Sequence, residues 1–382
     1  MDRRTIESYP RIMKKHSHRL GRPVGILLGA LLLAWGIGRG GGQAGPGWVW
    51  PVSTPEAQGL DPDKLADIVS EIRKGELFPS LHALLVIRHG RLILEEYFNN
   101  WTAEQLHTLQ SVSKSFTSAL VGIAISRGEF KGVEEKVLDF FPEMKEIANL
   151  DKRKAAMTLE DILTMRTGTD YHESGPDSPH VQLSRLPKGW DKFYLDRPMI
   201  ADPGTTFRYD SGGVILISAM LKARTGMHAH EYAERYLFKP LGIEKKFWMF
   251  NQDGQTHCGG GLVMTARDTA KLGLLYLNRG QWGQEQVVPE SWVRESFRSH
   301  VNLAQPGQPP SGYGYLWWIG APDPLGKGKQ DVPMARGRWG QYIFVIPEHD
   351  MVVVALGDAK AASEQSRPMQ VMYDRILPAV RR

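Results

Sequence analysis

Between His107 and Arg127 the chain carries a single charged side chain, Lys114. The second half of that stretch holds Phe116, Ala119, Leu120, Val121, Ile123, Ala124 and Ile125, and it is apolar around almost the whole helical circumference. A helix that is apolar on every side is a buried helix. The segment 109–125 therefore predicts a central helix wrapped by the rest of the chain, with a stop near Gly128. Its first part is small and hydroxyl-rich and contains Ser111-Val112-Ser113-Lys114, an S-x-x-K pattern. Positions i and i+3 share one helix face, which brings the lysine amine within reach of the Ser111 hydroxyl. Ser111 falls at the predicted helix N-terminus, where unpaired N–H groups favour negative charge and so a developing oxyanion. The pattern alone is common, and its bland reading is an N-cap serine followed by a solvated lysine. A lone lysine at the mouth of a buried helix favours the functional reading.

The chain has 382 residues, enough for one large or two medium domains with a real core. Its formal charge of +5 is unevenly placed. Residues 1–44 hold eight Lys/Arg against two Asp/Glu, and the remainder holds 39 against 40. The body carries no basic footprint for nucleic acid. Cys258 is the one cysteine, so no intramolecular disulfide forms.

The N-terminus is basic up to Arg22, and residues 24–37 then run without a charge. A membrane span needs roughly 20 apolar residues, so this run fits an export signal, or an uncleaved anchor that tethers the protein to the inner membrane. The expected location is periplasmic or secreted. Residues 62–74 predict an amphipathic helix, and 82–87 and 91–98 a hairpin turned at His89-Gly90. Residues 129–250 lean helical, with helices expected over 158–165, 214–224 and 230–238. A further helix is expected over 265–278, and strands over 342–346 and 351–356. Strands at both ends with helices between them predict an α+β fold, an α/β sandwich carrying an inserted helical domain. The expected boundaries are 45–128 and 255–382 for the α/β part and 129–254 for the helical part.

A serine nucleophile needs a second proton-handling group and an oxyanion hole. Tyr209 precedes a turn, Asp210-Ser211-Gly212-Gly213, that opens a buried-looking helix. A tyrosine held there can protonate a leaving group when an ammonium stands beside it. Residues 335–344 run from a Gly-rich turn into the last hairpin and offer a main-chain N–H, with Gly340 allowing close approach. Two Arg-Thr-Gly sequences, at 166–168 and 224–226, fall at helix ends. His228-Ala229-His230-Glu231 fails the zinc-helix pattern because residue 234 is Glu, so no metal is expected. No cofactor is expected either.

The order S-x-x-K, Tyr209-Asp210-Ser211 and a Gly340-Gln341 segment near the C-terminus resembles the serine β-lactamase-like hydrolases of the class C and penicillin-binding-protein type. It is most similar to their esterase, amidase and 6-aminohexanoate-dimer-hydrolase-like branch. Stretches at 110–118, 158–165, 203–209, 237–243, 260–268, 313–318 and 340–347 carry the resemblance, over roughly residues 50–380. It implies an antiparallel sheet flanked by helices with an all-helical domain beside it, the β-lactamase/transpeptidase-like arrangement. It implies Ser111 as the acylated nucleophile, Lys114 and Tyr209 as its proton handlers, and Ser211 at the substrate. The oxyanion hole would combine the Ser111 N–H with one N–H from a strand containing Arg338, Trp339, Gly340 and Gln341. The substrate would be a small ester or amide. Ser211 replaces the Asn of class C enzymes, and no Lys-Thr-Gly precedes the last strand, which argues against strong β-lactamase activity. Arg336 or Arg338 could take over as a carboxylate clamp. A DD-peptidase or weak β-lactamase, and a non-catalytic, membrane-tethered peptidoglycan-binding protein, are the alternatives.

Overall fold

The computed structural model describes residues 48–304, 311–320 and 331–381. The expected leader, 1–44, lies outside the described residues. Helix α1 (Pro62–Arg73) opens with Asp61, whose carboxylate accepts the N–H groups of Asp63 and Lys64, and with Pro62 at its first position. Strands β1 (Leu81–Arg88) and β2 (Arg91–Tyr97) form the expected hairpin. The short β3 (His107–Thr108) leads to a 3-10 turn, Gln110–Val112, and then to α2 (Ser113–Ser126). From Ser113 to Ala124 every residue of α2 is buried, as its all-round apolar pattern requires.

Helices follow: α3 (Lys152–Ala156), α4 (Leu159–Leu163), α5 (Pro179–Arg185), α6 (Trp190–Leu195), α7 (Ser211–Thr225) and α8 (Ala229–Ala233). Helix α7 stops at Gly226, in the left-handed region at φ 73°. Strands β4 (Lys246–Trp248) and β5 (Leu262–Met264) join β3 in a small sheet ordered β3-β5-β4. Then come α9 (Ala266–Leu277), a hairpin of β6 (Gln281–Trp282) and β7 (Glu285–Gln286), and α10 (Glu290–Phe297). The chain closes with β8 (Val301–Asn302), β9 (Gly312–Tyr313), β10 (Trp318–Gly320), β11 (Val332–Gly337), β12 (Gln341–Ile346), β13 (Met351–Gly357) and helical turns over 367–379.

The main sheet has eight strands in the order β2-β1-β13-β12-β11-β10-β9-β8, all antiparallel. Early β1 therefore lies beside late β13, with β2 alone outside it at that edge. Apolar residues run almost unbroken through β1, β12 and β13, because both faces are covered. Leu85, Ile87, Ile343, Val345, Val352 and Val354 face the core shared with α2 and α9. Leu84, Val86, Tyr342, Phe344, Met351 and Val353 face a second core with α1 and the C-terminal turns. Each large aliphatic side chain buried this way contributes about 2 kcal/mol. Val214, Leu216 and Met220 of α7 belong to the first core, so the helical stretch and the sheet close on α2 from two sides.

Candidate active site

Three segments converge at the start of α2. The Gln110–Val112 turn is set by Gln110, at φ 48°. It is stapled by Ser113, whose hydroxyl donates to the Gln110 carbonyl at 2.6 Å and accepts the Leu262 N–H at 3.2 Å. Pairing of β3 with β5 and the Leu109 N–H to Leu262 carbonyl bond, 2.9 Å, tie the turn to the glycine run at 259–261. Further along α2, Ser115 donates to the Leu316 carbonyl at 2.8 Å and Thr117 to the Cys258 carbonyl at 2.9 Å. The hydroxyl-rich part of the helix is thus largely a set of pins that hold loops around one half-buried hydroxyl, that of Ser111.

Lys114, 1% exposed, points its amine back along the turn. It donates to Ser111 Oγ at 3.1 Å, to Ser211 Oγ at 2.7 Å and to the Gly259 carbonyl at 2.6 Å. Three donors meet three acceptors, which is full satisfaction for an ammonium group. Its nitrogen lies 4.7 Å from the centre of the Tyr209 ring, a cation–π contact. The Tyr209 ring stacks on Trp318 at 5.8 Å between centres. Trp318 is therefore site wall, whereas its neighbour Trp317 is core.

Asp210 fixes where Tyr209 and Ser211 fall. It caps α7 by accepting the Gly213 N–H at 2.8 Å, and it accepts hydroxyls from Thr167 at 2.9 Å and from Tyr194. Burial pushes its carboxyl above the usual range, against the pull of those bonds. Gly259 is required by close approach: a Cβ there would lie 2.8 Å from the Ser211 carbonyl oxygen and 2.9 Å from its Cβ.

The structure brings Ser111, Lys114, Tyr209 and Ser211 together. It corrects the expectation for 338–341. Only Gln341 of that segment is in a strand, as the first residue of β12: Trp339 and Gly340 sit in the left-handed region at φ 69° and 87°, so Arg338, Trp339 and Gly340 form the turn between β11 and β12. Gly340 packs toward Phe78, in the second core. Gln341 is fully buried, and its amide is spent on the carbonyls of Arg338 and Gly357 and on the Gly357 N–H. The strand residue that meets the nucleophile turn is Gly337, where a Cβ would stand 2.6 Å from the Leu109 carbonyl. Arg338 is exposed, and its charge reaches His180. Arg336 is also exposed and lies over the Trp318 and Tyr342 rings.

Four site neighbours carried no usable signal in the sequence: Glu173, His180, His257 and Gly259. The Ser211 N–H donates to Glu173 Oε1 at 3.0 Å. His180 Nδ1 pairs with the Tyr171 hydroxyl at 3.0 Å, and its ring stands 6.3 Å from that of His257. Burial first, then His180 and Lys114, push His257 down to about 4. Only Gly259 left a hint, as part of a triple-glycine run. Cys258 is buried, and burial pushes its thiol up to about 12, which fits an inert core residue.

A model of the family described as beta-lactamase matches residues 67–371. The chain is 24% identical over 322 residues to the 6-aminohexanoate-dimer hydrolase of Paenarthrobacter ureafaciens, covering 80% of this chain and 79% of that one. Among solved structures it resembles EstCE1, a hydrolase with promiscuous acyltransferase activity, with a TM-score of 0.68, 17% identity and coverage of 82% of this chain and 98% of the other. It also resembles the octameric penicillin-binding protein homologue from Pyrococcus abyssi, with a TM-score of 0.61, 19% identity and coverage of 81% and 76%.

Proposed function

The chain belongs to the beta-lactamase family and is a hydrolase, and from that premise we propose that it cleaves a small ester or amide through an acyl-Ser111 intermediate. The observation that carries this reading is the Lys114 ammonium, bonded at once to Ser111 Oγ and Ser211 Oγ beneath the Tyr209 ring. Ser111 Oγ attacks the substrate carbonyl and forms the new C–O bond. Its proton passes to the Lys114–Tyr209 pair after that pair has released one proton to solvent, so the two side chains share one proton before the attack and hold two after it. The tetrahedral oxyanion is held by the Ser111 N–H and by a main-chain N–H from the Gly337–Arg338 corner. Collapse breaks the bond to the alcohol or amine, which takes a proton from Tyr209. Water then attacks the acyl-serine, with the same pair accepting its proton, and the acid product leaves.

The protein incubated with a fluorophosphonate probe is expected to gain one adduct, on Ser111, and to turn over a short-chain p-nitrophenyl ester. Ser111→Ala should lose both. Full ester turnover by that variant would overturn the assignment, and a folded wild type inert to probe and ester would favour a binding protein instead.

A further inference from the structure

The three acceptors around Lys114 are two hydroxyls and a main-chain carbonyl, all uncharged. A buried ammonium with no negative charge nearby is costly. The acid that stands near it is Glu173, on the loop that leads into α5. Its Oε1 accepts the Ser211 N–H at 3.0 Å, while the Ser211 hydroxyl accepts from Lys114 at 2.7 Å. One residue therefore links carboxylate and ammonium. Burial pushes the Glu173 carboxyl up, but Lys114, His180 and Ser211 pull harder, and it ends below the usual range.

The other groups facing Lys114 are Tyr209, His180 and His257, and burial lowers both histidines toward the neutral form. Glu173 is also felt by Asp210, Tyr171 and Tyr313, and Arg338 stands across from His180. Asp210 is the other acid, and its oxygens are engaged by Tyr194, Thr167 and Gly213.

We propose that Glu173 is the positioning carboxylate of this site. It holds Ser211 against Lys114 and supplies the fixed negative charge that keeps the proton on the Lys114–Tyr209 pair in the resting enzyme. The proposal rests on the hydrolase reading above. A negative charge beside a basic pair makes its proton harder to remove, so neutralising Glu173 makes the pair lose its proton at lower pH. The sign is the same whether the proton leaves the lysine or the tyrosine.

Glu173→Gln keeps an oxygen to accept the Ser211 N–H and removes the charge alone. With a p-nitrophenyl ester, the ascending limb of kcat/KM against pH is expected to move to lower pH by about one unit. Glu173→Asp keeps the charge and should leave the limb near its wild-type position. A folded Glu173→Gln enzyme whose limb coincides with the wild type overturns the proposal, as does one that merely loses activity equally at every pH. If thermal melting shows that Glu173→Gln does not fold, Glu173→Ala, which also removes the charge, is read in its place. A limb moved to lower pH in that variant supports the charge role, and a wild-type limb overturns it. Wild-type protein that takes no probe on Ser111 overturns the hydrolase reading instead. Labelling at Ser111 with a limb indifferent to Glu173 overturns only this proposal.

Discussion

Lys114 and Lys154 are each about 1% exposed, yet their surroundings differ in kind. Lys154, in α3, donates to the carbonyls of Ala148 and Leu195 at 2.8 and 2.6 Å. These are main-chain acceptors that do no chemistry. Lys154 is a tie between α3 and the end of α6, with burial lowering its affinity for the proton and Asp196 and Asp151 opposing that. Lys114 meets one carbonyl as well, but its other two acceptors are serine hydroxyls, and a tyrosine ring covers it. A buried lysine marks a working site only when its partners include groups that can exchange a proton or form a bond.

Breaking each lysine in turn tests the contrast. Lys114→Ala is expected to lower kcat/KM for a p-nitrophenyl ester by at least about a thousandfold while the protein still melts cooperatively. Near-normal turnover would erase the distinction between the two lysines. Tyr209→Phe keeps the ring over Lys114 and on Trp318 and removes only the hydroxyl. It should cost about a hundredfold or more in kcat with little change in melting temperature. A large loss of stability with unchanged kcat would make Tyr209 a packing residue.

Acid should trouble the Lys114 side. His257, with its side-chain Nδ1 buried and unpaired, has its pKa lowered from 6.5 to about 4. The unfolded chain then takes up a proton that the folded chain refuses. Stability is full above pH 6.5 and falls as the pH drops toward 4, by roughly 3 kcal/mol at most from this group. Urea unfolding across that window should show the slope, and His257→Asn should flatten it; an equal slope in the variant would place the sensitivity elsewhere. Lys154→Met strips the buried Leu195 carbonyl and the more exposed Ala148 carbonyl of their donor. It should destabilise the fold by about 2 kcal/mol, read as a lower urea midpoint, and leave kcat per folded molecule unchanged.

Much of the sheet could be read from the chain because strands buried on both faces leave unbroken apolar runs. The 342–346 and 351–356 expectations lie within β12 and β13. The short strands β8 to β10 leave two or three residues each and no such pattern. The strand geometry expected for 338–340 failed for a local reason. A Gly-rich run before an apolar run marks either a strand entry or a tight turn, and the left-handed Trp339 and Gly340 decide for the turn. Glu173 was illegible because an acid in the polar loop 172–178, which also holds Asp177, carries no period and no motif. Its meaning comes from the Ser211 N–H it meets, 38 residues away in the chain.

By itself the sequence determined that a helix apolar on all sides would lie inside, and that Ser111 and Lys114 would stand three residues apart at its start. Both are consequences of spacing along one element, which local geometry dictates. Only the tertiary structure decided what stands around that turn. Tyr209 with Ser211, Gly259 and Glu173 arrive from three separate segments, placed by the capping of α7, by the close approach that Gly259 permits and by the hydroxyl pins of α2. Such contacts are fixed by the packing of the whole core, and no local pattern in the chain encodes them.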